Sequence, residues 1–217
     1  MVGPVRKYRR EQPEVRRDGL VDAAIRCLAA HGHEGVSVRR IAAEAGVSVG
    51  LINHHYTSID RLIAHAYERV ASGIVEQLLA AVAAAGPTPR KRLAAFFRAS
   101  CSPLVIDPDL LGVWVVFWSM IKHSPVMRRT HRRTFAAYRA VIEDQLSALA
   151  KERRLRSVDI RLSAIGLSAL LDGIWLALCL DPKAFRPEEG IRLCEAWLDG
   201  FAAGAYPRLK RVARAGA

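Results

Sequence analysis

The chain is poor in the residue patterns that staple, span or catalyse. Its four cysteines, Cys27, Cys101, Cys179 and Cys194, are scattered with no CxxC spacing, so they carry no thiolate metal or redox motif. Each sits among apolar neighbours and reads as a buried, reduced thiol that packs like a small hydrophobe. No stretch reaches the roughly 18 uninterrupted apolar residues of a spanning helix, and the N-terminal run MVGPVRKYRREQPEVRRD lacks an apolar signal core. The expectation is a cytoplasmic protein with no membrane partner. Ser-His-Asp order, a nucleophile elbow and a phosphate-binding glycine loop are all missing, so no catalytic residue and no cofactor is assigned and the chain does not read as an enzyme. The pairs His31/His33 and His54/His55 have no carboxylate or thiol at a supporting spacing, which argues against a metal site. There is no alternating strand pattern and no internal repeat.

Acidic residues are also in short supply. Against 33 Lys plus Arg stand 21 Asp plus Glu, a formal charge of +12, which favours a polyanionic partner, nucleic acid or an acidic membrane surface. Half the residues are apolar (51%) in a chain of 217, enough for a real core in one large domain or two small ones. Apolar residues recur at helical spacing, as in Leu20, Val21, Ala24, Ile25 and Leu28, and Pro, Gly or Asp punctuates nearly every join. Helices are expected at about 14–31, 38–45, 49–55, 60–85, 90–101, 108–123, 126–153, 158–180 and 187–203. The fold class is therefore all-α, divided as an N-terminal helical unit over 1–60 with a basic arm at 6–10, a larger helical unit over 61–205, and a basic tail over 206–217.

The stretch from Ser37 to Leu62, SVRRIAAEAGVSVGLINHHYTSIDRL, carries the most chemistry. Ser37 can cap a short helix whose Ile41 and Ala42 point inward. Gly46 supplies a turn that needs positive φ, and the apolar Val47 fixes the angle to a second short helix. That is helix-turn-helix grammar, in which the second helix enters a major groove about 12 Å wide and offers its N-terminal residues to base edges.

The run VRRIAAEAGVSVGLINHHY closely resembles the DNA-binding signature of the TetR family, including the leading Ser37, the Ile41-Ala42 pair, AGVS and Gly50. The resemblance implies phosphate contacts from Ser37, Arg39, Arg40 and Ser48, close backbone approach at Gly50, and a groove-facing set of Val49, Leu51, Asn53 and His54. Asn53 is chemically the best base reader, because an amide pairs bidentately with adenine. His55 and Tyr56 stand where the family usually has Tyr-Phe, and Ile59 stands where a Lys often opens the next helix. His55 and Tyr56 can still donate hydrogen bonds, and Arg61 is placed to replace the missing lysine.

Aromatic residues are few, 7% of the chain, yet beyond the first quarter they cluster: Trp114, Phe117 and Trp118 on one predicted helix, Tyr138 on the next, and Trp175 near Asp172 on another. Trp114 and Trp118 share a face, as do Asp172 and Trp175. Two such helices turned together would offer indole faces and one carboxylate to a quaternary ammonium ion, each cation–π contact being worth about 0.5 to 2 kcal/mol. The same spacings also suit plain core, with Asp172 pairing an arginine or capping a kink at Gly173. GLINHHY, WVVFWSMIKHSPVMRRTHRR and ALLDGIWLALCLDP resemble the choline-responsive BetI subgroup of the TetR family. This implies control of glycine betaine synthesis from choline, with choline or betaine aldehyde as inducer. A polyamine or a hydrophobic cationic drug would use similar groups. The run Arg128, Arg129, His131, Arg132, Arg133 spreads around a helix and reads as solvated surface with carboxylate partners.

One recognition helix reads few base pairs, so a homodimer spanning two half-sites about 34 Å apart is expected on double-stranded operator DNA. The segment Leu162–Leu180 and the stripe Ile191, Cys194, Trp197, Leu198 and Phe201 are its candidate interface, as a four-helix bundle. The function that follows is a ligand-responsive transcriptional repressor. Its rivals are a TetR-like repressor of an efflux or lipid operon with another inducer, a sequence-independent architectural DNA-binding protein, and a helical enzyme or small-molecule carrier.

Overall fold

The computed structural model describes residues 13–156 and 158–206. The basic arm expected at 6–10 and the tail beyond Tyr206 lie outside the described residues. Within them the chain is helical with no strand: α1 (Pro13–His31), α2 (Val38–Glu44), α3 (Val49–His55), α4 (Ile59–Ala84), α5 (Pro89–Ser100), α6 (Pro108–Ile121), α7 (Pro125–Glu152), α8 (Ile160–Leu180) and α9 (Pro187–Ala202).

Local chemistry sets these boundaries. Ser37, Ser48, Ser58, Thr88, Asp107, Ser124 and Asp159 each accept a hydrogen bond from a backbone N–H in the first turn of the helix they precede. Pro89, Pro108, Pro125 and Pro187 open their helices, where a missing N–H is harmless. The turn between α2 and α3 closes on two backbone bonds, Gly46 N–H to Ala43 O (3.2 Å) and Val47 N–H to Ala42 O (2.9 Å). This is a Schellman arrangement that requires the left-handed backbone of Gly46, φ +66°. Val47 then packs, half-buried, on the core that holds Ile41, Ala42 and Ile52.

Helix α4 is the axis of the packing, lying against α1 near its start and against α5 and α7 further on. Its inward face, Leu62, Ile63, Ala66, Tyr67, Ile74, Leu78 and Val82, is buried over the full length. The expected division at residue 60 therefore falls in the first turn of a helix that serves both the head (α1–α3) and the body (α5–α9). Arg69 of α4 bridges to Asp18 and, at 2.9 Å, to Asp22 on α1. Arg26 reaches Glu44 on α2 at 2.6 Å. At the joint with the body, Ser124 donates to Asp60 at 2.9 Å while capping α7.

Two expectations need correction, the burial of all four cysteines and the use of the α9 stripe. Cys27, Cys101 and Cys194 are buried, and burial pushes the Cys101 and Cys194 thiols up to about 11 and 12, but Cys179 is only half-buried on α8. Helix α8 is long and apolar enough by composition to cross a membrane, yet Ala164, Leu167, Leu171, Ile174, Trp175 and Leu178 are buried against the rest of the chain, as in a core helix. Finally, much of the α9 stripe proposed for an interface is used inside the protomer. Cys194, Leu198 and Phe201 are essentially inaccessible because α9 packs on α5 and α8.

An alanine Cβ at Gly46 meets no atom within 4 Å, so only backbone strain opposes it. Gly46→Ala should lower unfolding stability by about 1 to 2 kcal/mol, measured by urea denaturation, with the helical circular-dichroism signal otherwise retained.

Candidate functional site

In the head, α3 presents a polar, open surface. Ser37, Arg39, Arg40, Ser48, Val49, Gly50, Asn53 and His54 are exposed, Leu51 and His55 are half-buried, and Ile52 alone in α3 is buried, anchoring the helix to the core. The Ser37 and Ser48 hydroxyls accept from the N–H groups of Arg40 (3.2 Å) and Leu51 (3.3 Å). Each hydroxyl proton is still available to a phosphate. Arg40 also binds the Gly35 carbonyl, which ties the α1–α2 loop to α2, and Arg39 has no ion-pair partner among the described residues.

Tyr56 departs from the expected DNA-facing role. Its ring is only 5% exposed, its hydroxyl pairs with His65 Nδ1 at 2.7 Å, and the Arg17 guanidinium lies 5.5 Å from its centroid. It pins α3 to α4. The reason is positional: the peptide at 56 leaves the helix in extended geometry, which turns the side chain toward α1 and α4.

The body encloses a cavity of about 350 Å³ between α4, α6, α7 and α8. Trp114 and Trp118 enter from α6, Tyr138 from α7, and Asp172 and Trp175 from α8, so the expected aromatic set and its carboxylate do meet. Phe117 does not reach it. This ring is fully buried behind the wall, 4.9 Å from Tyr67 and 6.0 Å from Trp114, where it supports them.

Four cavity residues carry chemistry that their positions in the sequence did not reveal. Tyr67 of α4 contacts Trp114 edge-to-face at 5.1 Å and bonds through its hydroxyl to His131 Nδ1 at 2.7 Å. His131, Thr134 and Phe135 extend the α7 face that ends in Tyr138. The positions 131, 134, 135 and 138 are a helical stripe that could have flagged His131. His131 therefore lines the cavity and is not part of the solvated surface expected for the arginine run around it. Of those arginines, Arg133 does pair with Glu68 at 2.7 Å, while Arg128 caps the Ile121 and Lys122 carbonyls.

The electrostatics are unusual for so apolar a site. Asp172 has no ion-pair partner among the described residues, and burial pushes its carboxyl up to about 6. Burial likewise raises the Tyr67 phenol to about 12 and lowers His131, so both are neutral near pH 7. Trp175 is held by its Nε1–H bond to the Ser100 carbonyl at 2.8 Å, whereas Trp114 Nε1 and the Tyr138 hydroxyl have no protein partner among the described residues.

Two family models match this chain: the Bacterial regulatory proteins, tetR family over residues 20–66, and the BetI-type transcriptional repressor, C-terminal over 89–203. The chain belongs to the TetR family. Its body is of the BetI repressor type, and its curated relatives are similar along nearly their whole length. The HTH-type transcriptional regulator BetI of Burkholderia thailandensis is 30% identical, with 86% of this chain and 93% of that protein covered. The BetI of Paraburkholderia phymatum is also 30% identical, covering 86% and 92%. Among solved structures, a transcriptional regulator from Pseudomonas aeruginosa PAO1 superposes with a TM-score of 0.86 at 45% identity, covering 92% of this chain and 96% of that one. A regulator from Saccharomonospora viridis, crystallised in complex with choline, shares the fold at 21% identity and a TM-score of 0.74, covering 87% and 97%.

For a TetR-family head, Gly50 gives a clean test. A Cβ there meets only Ser48 Oγ at 3.8 Å, and alanine is the better helix former by about 1 kcal/mol. Gly50→Leu should thus leave the melting temperature unchanged or higher, yet lower operator affinity at least tenfold in a gel-shift titration at fixed salt.

Proposed function

We propose that this TetR-family protein is a cation-induced repressor that governs glycine betaine synthesis from choline, with choline or betaine aldehyde as inducer. The observation that carries this reading is the lone Asp172 carboxylate in a cavity walled by Trp114, Trp118, Tyr138 and Trp175. Asp172 is half-buried, and a partly desolvated anion without a partner is costly. A trimethylammonium ion relieves that cost and adds cation–π attraction, while offering no N–H donors that would need acceptors in so apolar a wall. The orphaned Trp114 Nε1–H and Tyr138 O–H suit the oxygen of a hydroxyl or aldehyde on the same small cation. Glycine betaine, with a carboxylate of its own, would be repelled by Asp172. The choline held by the Saccharomonospora viridis regulator and the BetI identity of the curated relatives support the assignment.

On the DNA side, Ser37, Arg39, Arg40 and Ser48 grip phosphates, and Val49, Leu51, Asn53 and His54 face the groove, with Gly50 allowing close approach and His55 beside them. Two heads are needed for two half-sites, and α8 supplies the means of pairing. Leu162, Gly166, Ala169, Gly173, Leu176 and Leu180 recur at alternating steps of four and three residues, all but the half-buried Leu162 exposed, a seam that a second copy can match. Exposed Leu193 and Ala196 of α9 extend the patch. Such a protein works on the chromosome, in the cytoplasm. Induction follows if the liganded state prefers a different spacing of the heads; tenfold loss of operator affinity needs only about 1.4 kcal/mol of differential binding.

Choline and betaine aldehyde titrated into the operator complex at constant salt should release the DNA, and glycine betaine should not. If neither cation changes operator affinity, the inducer is wrong. Because the Asp172 carboxyl sits at about 6, choline affinity measured by calorimetry should be flat above neutral pH and fall about tenfold per pH unit below 6, where the carboxylate is protonated. Asp172→Asn should abolish choline binding while stabilising the ligand-free protein. A carboxyl raised from 3.8 to about 6 costs up to about 3 kcal/mol at pH 7.5. That penalty fades as pH falls through 6 toward 4, so the thermal advantage of the variant should shrink over the same window. Leu176→Glu should yield monomers by sedimentation and weaken operator binding with the head still folded.

A further inference from the structure

A second cavity, also of about 350 Å³, lies on the seam between head and body. Arg17 of α1 and Thr57 line it from the head, Arg61 and His65 from the first turns of α4, and Thr130 from α7. Its character is opposite to that of the aromatic cavity. One carboxylate, Glu68, lines the cavity itself and is engaged by Arg133 at 2.7 Å; of those nearby, Asp22 is engaged by Arg69 at 2.9 Å and Asp18 by the same Arg69. Arg17 and Arg61 have no ion-pair partner among the described residues; nor does the exposed Arg129, which is outside the cavity lining but which helical periodicity sets one turn from the lining residue Val126 on α7. The Tyr56 ring under the Arg17 guanidinium orients that group without neutralising it.

We propose that this seam is a phosphate-binding site, in which Arg17 of α1 and Arg61 of α4 grip one oxyanion with help from the Thr57 and Thr130 hydroxyls, and Arg129 of α7, next to Thr130 in sequence, adds positive charge from outside the lining. Guanidinium forks match phosphate oxygens in pairs, and hydroxyls supply further donors. An anion held this way bridges α1 and α4 to α7 and fixes the angle of the head, independently of what fills the aromatic cavity. Two sources share the chemistry: a free phosphorylated metabolite, or a backbone phosphate of the bound DNA.

The full-length protein is titrated with sodium pyrophosphate by calorimetry, against sodium chloride at matched ionic strength, with Arg17→Gln and Arg129→Gln alongside. Since Arg17→Gln also removes the stack on Tyr56, Arg129→Gln serves as the variant that leaves the head's packing alone. With a free anion as occupant, wild type binds pyrophosphate, each variant binds it at least fivefold more weakly, binding survives on the operator complex, and the salt dependence of operator affinity is unchanged. With DNA as occupant, operator and pyrophosphate compete, and each variant reduces the log–log salt slope of operator binding by about 1. The proposal is overturned if pyrophosphate binding equals the chloride control while operator affinity and salt slope are the same in all three proteins. It also fails if pyrophosphate binds with no change in either variant, since the anion then sits elsewhere.

Discussion

Helix α4 buries one face along its whole length, and the other functional elements take their positions from that face. At its start, Leu62 and Ile63 join the core that seats α1, α2 and α3. One turn later Tyr67 forms part of the aromatic cavity, with Ala71, Ile74 and Val75 continuing the wall. Twenty-six residues of helix span about 39 Å, so the DNA-reading end and the cavity share one rod. Close packing leaves that rod little freedom to bend smoothly. A tilt at Tyr67 is therefore felt at Asp60, where the bond from Ser124 ties the rod to α7.

Helix α6 supplies a second mechanical link. Trp114 and Trp118 on its middle turns face the cavity, and the same helix packs against α1 of the head. A ligand that separates the indoles from Trp175 must displace α6, α8 or both. The seam between head and body is where such a displacement emerges, and the polar side chains of that seam, Arg17, Arg61 and His65 among them, permit more than one arrangement than a sealed apolar joint would.

Much of this was legible in the sequence. Helix boundaries fell within a few residues of those observed because caps and prolines act locally: Ser37, Ser48 and Ser58 bond within their own first turn, and Gly46 must be left-handed whatever surrounds it. The helix-turn-helix was read from contiguous residues for the same reason. The cavity was read in part. Trp114, Trp118 and Asp172 with Trp175 declared shared faces by their spacing, but Tyr67 lies distant in sequence from its partner His131, and only tertiary packing pairs them. Phe117 is absent from the cavity because a residue three from Trp114 shares its face in projection yet sits one layer deeper. Tyr56 turns away from the DNA-facing side because the chain leaves α3 in an extended conformation that no helical periodicity describes. On α9, periodicity identified the apolar stripe correctly but could not say which protomer would bury it.

Helix α8 alternates between two tasks along its length. Asp172 and Trp175 look into the cavity while their neighbours Gly173 and Leu176 look outward along the seam proposed for pairing. A rotation of α8 that makes room for a ligand carries those outward residues with it, and small residues at 166, 169 and 173 leave a facing helix close enough to register the change. In a symmetric pair, occupancy of one cavity would then alter the affinity of the other, so the two subunits would sense their ligand as a cooperative unit, with a dose response steeper or shallower than that of a single site.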